Sequence, residues 1–202
     1  MMLVMLEQRI QQQFFESADL KYQAAEVLGR PIEEAVTALV AGLTAGGRVL
    51  VAGLGASASL AQLVTGELIG CFERERPGLA ALALGADGAA LAALSPHGGF
   101  EQVLARQVDT LGQPGDLLLL IDSDGNHPAL LAAVAAAQRK DMTVIALTGR
   151  TGGALRHALG ETDVLVPVPH DRRVRVLETH LLVLHCLCDA IDLQLLGEQD
   201  PA

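Results

Sequence analysis

The apolar residues of this chain follow two rhythms, one helical and one confined to runs too short for anything but strands. Over residues 3–28, Leu6, Ile10, Phe14 and Ala18 recur every fourth position, the spacing of one helix face. Gly29 and Pro31 interrupt. Pro31 fits the first turn of a second helix, with Glu33 and Glu34 behind it, running to Gly46-Gly47. Two helices ahead of any strand predict a helical arm.

A repeat begins at residue 48. Short apolar runs at 48–52, 79–84, 117–121, 142–147 and 163–168 read as strands. Helical stretches run up to Phe72 and over 89–94, 100–111, 128–140 and 174–196. This alternation predicts an α/β fold with a parallel sheet. The runs are apolar throughout rather than at alternate positions, so both faces of the sheet are covered. No linker or low-complexity segment divides the chain. Residues 1–46 therefore read as N-terminal helices of the same unit as an α/β domain over 47–202.

In open α/β sheets, ligands sit beyond the carboxyl ends of the strands. Two loops leave strands there. One is Gly53-Leu54-Gly55-Ala56-Ser57, whose glycines let a ligand approach the backbone before a helix N-terminus. The other is Asp122-Ser123-Asp124-Gly125-Asn126-His127, also leading into a helix. A dinucleotide fold would place a third glycine at Ala58 and has no use for the second loop.

Composition narrows the function classes. Half of the 202 residues are hydrophobic, there is no Trp, and the aromatics are Phe14, Phe15, Tyr22, Phe72 and Phe100. With a net charge of −10, the chain repels phosphate backbones and lacks aromatics on which bases stack, which argues against direct nucleic-acid binding. Cys71, Cys186 and Cys188 match no redox or zinc spacing and read as thiols of a reducing cytoplasm. The first residues lack the basic and apolar regions of a signal peptide, and no run has the length of a membrane span.

Together these pieces resemble the SIS-domain proteins of the phosphoheptose isomerase and DiaA group. The resemblance rests on the Gly53-to-Ser57 loop, on Phe72-Glu73-Arg74-Glu75-Arg76-Pro77, and on Gln113-Pro114-Gly115-Asp116. It also rests on the loop around Gly125-Asn126, on the segment 142–149, and on Glu178-Thr179-His180 with the run 186–192. The C-terminal run looks specifically DiaA-like. The resemblance implies a five-stranded parallel sheet in a flavodoxin-like three-layer sandwich, a homotetramer, and active sites at subunit interfaces.

The same resemblance allows a residue-by-residue audit. Aldose–ketose isomerisation needs a base between adjacent carbons and an acid at the oxygens. The family's Glu and His match Glu67 and His185. Its zinc ligands would fall at Leu63, Glu67, Leu177 and His185, and two aliphatic side chains among four argue against a metal. No other cofactor is implied. The sugar or phosphate pocket matches Gly53, Gly55, Ser57, Asp122, Ser123, Asp124 and Asn126, with carboxylates at two hydroxyl positions. A like charge at about 4 Å costs roughly 4 kcal/mol at an effective dielectric near 20, about a thousandfold in affinity. Other family positions are replaced by Leu54, Cys71, Pro96 and His97. His157, His170 and His180 read as surface or packing residues.

These departures predict a non-catalytic, DiaA-like homotetramer that binds the replication initiator DnaA through Leu195 and Leu196. The alternatives are a phosphoheptose isomerase acting on sedoheptulose 7-phosphate, and a sensor of an unphosphorylated sugar.

Overall fold

The structure, a computed structural model, describes residues 2–96 and 98–198. It is a three-layer α/β sandwich. Helix α1 (Met2–Thr44) leads to β1 (Val49–Gly53), α2 (Ala56–Ile69) and β2 (Ala81–Ala83). Then come α3 (Gly88–Leu94), a single 3-10 turn, α4 (Val103–Leu111), β3 (Leu117–Ile121) and α5 (Pro128–Arg139). Strand β4 (Thr143–Thr148), the one-turn α6 (Leu155–Ala158), β5 (Val164–Pro167) and α7 (Arg173–Leu196) complete it. The strands are parallel in the order β2-β1-β3-β4-β5.

The continuous apolar runs become strands because each face meets a different helix layer. On one face Val49, Val51, Leu117, Leu119, Ile121, Ile145 and Leu147 pack against α1, α2 and α7. On the other, Leu50, Ala52, Leu118, Leu120, Val144 and Ala146 pack against α4 and α5. Each fully buried Leu contributes about 1.5–3 kcal/mol relative to exposure. Asp116 sets the lower edge, accepting from the backbone N–H of Arg48 at 2.8 Å and of Gln113 at 3.0 Å.

The expectation of two N-terminal helices is corrected: α1 is one helix with Pro31 inside it. Leu20, Ala24, Leu28, Ala35, Val36 and Leu39 form an unbroken buried stripe through the proline. Pro31 removes the hydrogen bond to the carbonyl of Val27, but Val27 is an exposed residue that water can serve. The stripe expected from Leu6, Ile10 and Phe14 points away from the core and is exposed. The α1 and α7 helices are tied by Arg172 to Glu16 at 2.7 Å and Arg175 to Gln13 at 2.5 Å. Helix α6 escaped the sequence reading because four residues are too few to show a period.

Candidate functional site

Strand register brings the two ligand-facing loops side by side. Gly53 pairs with Ile121 at the ends of β1 and β3, so the chain leaves both strands at one level. Here the strand order reverses, which opens a crevice at the carboxyl edge of a doubly wound sheet. The crevice is a cavity of about 460 Å³. It is lined by Leu54, Gly55 and Ser57 on one side and Asp122, Ser123, Asp124 and His127 on the other, with Phe100 and Arg173 at its rim.

Gly55 adopts φ 58°, the left-handed region open to glycine, and stands as the N-cap of α2 with no side chain capping that helix. A Cβ at Gly53 would come within 2.5 Å of the Ser57 carbonyl oxygen, so Gly53 lets α2 start close against the sheet. Gly53 shapes the cavity from behind and does not line it.

The second loop satisfies three of its own amide donors. One Asp122 oxygen accepts from the Ser123 N–H at 3.0 Å, the other from the Gly125 N–H at 2.9 Å. Asp124 accepts from the Asn126 N–H at 2.8 Å. His127 caps α5 through Nδ1, which accepts from the Ala129 N–H at 3.2 Å. Three amides of this loop that could help cradle an anion, those of Ser123, Gly125 and Asn126, are thus occupied from within. Burial, and next the neighbouring charge of Asp124, push the Asp122 carboxyl above its ordinary range. Asn126 does not line the cavity: its Oδ1 accepts from the Ala154 N–H at 3.0 Å and ties the loop to the segment before α6.

Arg173 and Phe100 were missed by sequence reasoning. Arg173 opens α7, and its Nη2 lies 3.7 Å from where a Gly55 Cβ would sit. Only the packing of α7 beside α2 brings it to the cavity, so no local pattern announces it. Phe100 was legible as a rare aromatic after Gly98-Gly99; its ring meets His127 edge-on at 6.2 Å.

Glu67 and His185 lie elsewhere on the same helix pair. Glu67 sits in the last turn of α2 and His185 midway along α7; both are half-buried. The Phe72 ring faces His185 with centroids 5.4 Å apart. Ser57 and Glu67 are separated by about 15 Å of helix, and Arg173 and His185 by about 18 Å, at 1.5 Å per residue. Within one chain, the cavity lies at the N-terminal ends of α2 and α7, whereas Glu67 lies at the far end of α2 and His185 midway along α7.

The zinc positions do not fit a metal. Leu63, one turn before Glu67, is aliphatic and exposed, and Leu177 offers no donor either. Among the described residues, no three His, Cys, Asp or Glu side chains are grouped as ligands. No described helix is long and apolar enough to cross a membrane. His180 is fully buried and donates from Nε2 to the Thr148 carbonyl at 3.1 Å; burial lowers its pKa to about 4. His157 is exposed, and His170 accepts from the Arg172 N–H at 2.9 Å. His97 lies outside the described residues.

Residues 13–149 match the SIS domain family. The chain belongs to that family. It is 59% identical to the phosphoheptose isomerase of Methylibium petroleiphilum over 97% of this chain and 98% of that protein. It is 47% identical to the phosphoheptose isomerase of Thiobacillus denitrificans over 96% and 99% of the two chains. Among solved structures, the phosphoheptose isomerase GmhA of Neisseria gonorrhoeae superposes with a TM-score of 0.88 at 41% identity, covering 93% of this SIS domain chain and 98% of that one.

These relatives overturn the expectation of a non-catalytic, DiaA-like regulator bound to DnaA, since proteins up to 59% identical over nearly the whole length are named isomerases. The structure supplies the reason for the misreading. In the C-terminal stretch that looked DiaA-like, Thr179, His180, Leu187, Cys188, Ile191 and Asp192 are buried. That stretch records how α7 packs, not what the surface binds. At the end of α7, Leu195 is half-buried against the core and Leu196 is exposed.

Proposed function

We propose that this SIS-domain chain is a cytoplasmic aldose–ketose isomerase of sugar phosphates, with sedoheptulose 7-phosphate as its substrate. The observation that carries the reading is the retention of Glu67 and His185 on adjacent, packed helices, in a chain whose near relatives are named phosphoheptose isomerases. Glu67 removes the proton from C1 and returns it to C2 through an enediol. His185 moves the matching proton between the two oxygens, so no net proton is gained or lost.

The phosphate end is held at the cavity. Asp122 and Asp124 occupy three of the loop amides and add negative charge, so the anion is taken by the uncapped first turn of α2, the Ser57 hydroxyl and the Arg173 guanidinium. Arg173 supplies the positive charge that the acidic loop lacks.

The separation of the cavity from Glu67 and His185 supports a homotetramer in which neighbouring chains complete each site. So do the uncovered apolar side chains of α1, where Phe14 is 72%, Phe15 62% and Tyr22 77% exposed. The test is to incubate the protein with sedoheptulose 7-phosphate and follow the aldose product by proton NMR. Turnover in the wild type that disappears in Glu67→Gln supports the proposal. No turnover in the folded wild type refutes it.

A further inference from the structure

Between α2 and β2 the chain runs through residues 70–80, and one side chain of this strap ties together the two helices that carry Glu67 and His185. Arg76 is buried: its side chain and that of Asp192 each retain 2% of their accessible surface, and Nε donates to Oδ1 of Asp192 at 2.5 Å. The other two nitrogens of the guanidinium turn toward α2. Nη2 donates to the carbonyl of Glu67 at 3.0 Å, and Nη1 to the carbonyl of Leu68 at 2.9 Å. These are carbonyls of the last turn of α2, which have no partner within the helix and carry its negative end.

On the other side, Asp192 lies seven residues beyond His185 on α7, two turns along the same face. The strap touches His185 as well, through Phe72, and its Arg74 donates to the Gly197 carbonyl at 2.8 Å, at the end of α7. Cys188, one turn after His185, shows how close these groups are. Burial first, and then the charges of Glu67 and Asp192, push its thiol up to about 12, while Arg76 acts in the opposite sense.

We infer that Arg76, held by Asp192, is a positioning residue that fixes the Glu67 end of α2 against the His185 face of α7 and so sets the geometry of proton transfer. A planar guanidinium suits this role because it gives one N–H to a carboxylate oxygen and others to two carbonyls at once, in a fixed fan that an ammonium on a flexible stem does not offer. Asp192 takes only the Nε–H, and the donors left on this buried guanidinium are aimed at the backbone of the helix end that carries the proposed base. The inference rests on the isomerase reading for its kinetic test, though not for its structural one.

The variant to make is Arg76→Lys, which keeps a cation for Asp192 and loses the fan of donors on α2. The expected result is a folded protein whose kcat for sedoheptulose 7-phosphate falls by about tenfold to a hundredfold while KM stays within about twofold, as a misplacement near 1 Å produces. A kcat within about twofold of wild type in the folded variant overturns the inference. Should Arg76→Lys not fold, the paired replacement Arg76→Met with Asp192→Leu removes both charges together, a change that buried pairs tolerate, and its kcat is read the same way.

If the wild type itself does not turn over sedoheptulose 7-phosphate, the proposed function fails, and the inference is read from crystal structures of wild type and variant. A Glu67-to-His185 separation changed by about 1 Å or more supports it; an unchanged separation overturns it.

Discussion

The carboxylate of Asp122 accepts the backbone N–H of Gly125 at 2.9 Å, so this loop binds its own negative charge where an anion would otherwise sit. Replacing Asp122 and Asp124 together by Ser frees the amides and removes two like charges. Affinity for inorganic phosphate, measured by calorimetry, is expected to rise about a hundredfold. Because the Asp122 carboxyl titrates above its ordinary range, acidification neutralises it early. Wild-type phosphate affinity should therefore improve as pH falls toward that range, and the double variant should show less of this gain.

Arg173 is the opposite lever. Arg173→Gln should raise KM for sedoheptulose 7-phosphate by about tenfold and leave kcat nearly unchanged, since its contact is made equally in the ground and transition states. Steady-state kinetics decide it: a fall confined to kcat would place Arg173 in the chemistry and not in binding.

His180 makes the fold sensitive to acid. Its Nε2–H serves the Thr148 carbonyl, and its Nδ1 is buried with no partner. A proton there would be a desolvated charge, which is why burial lowers the pKa from 6.5 to about 4. The unfolded chain takes the proton first, so stability is fully present above pH 6.5 and is lost as pH falls toward 4. The loss is on the order of 3 kcal/mol. Thermal melts across this window should show it, and His180→Gln should flatten the profile while keeping a donor for Thr148.

Two glycine substitutions should move stability in opposite directions. Gly125 has φ 75°, and a Cβ there would lie 2.1 Å from the Gly152 carbonyl oxygen. Gly125→Ala is expected to cost more than the roughly 1–2 kcal/mol of a left-handed backbone alone. Gly29, inside α1 with open space around it, should accept Ala with a gain of about 0.5–1 kcal/mol. Denaturant unfolding of both variants provides the comparison.

Much of this was legible in the sequence for identifiable reasons. The strands declared themselves because a doubly covered sheet needs an apolar residue at every position, as in 117–121. The two loops were found because strand ends in this fold face the ligand crevice. The continuity of α1 was obscured because Gly29 and Pro31 are read locally, whereas the stripe from Leu20 to Leu39 holds the helix together through distant partners. Arg173 could not be found because its place depends on how α7 packs. The buried residues of α7 were legible as a resemblance but misled about function, because core packing survives changes of activity.

The spacing of Ser57 and Glu67 along α2 has a genetic consequence. In an assembly where one chain offers its cavity and a neighbour offers its proton carriers, a lesion at either end damages a different site. Chains carrying Glu67→Gln and chains carrying Arg173→Glu, each inert alone, should regain turnover when refolded together. A single allele with one such lesion should leave as many working sites as there are intact chains, because its undamaged end still serves a neighbour.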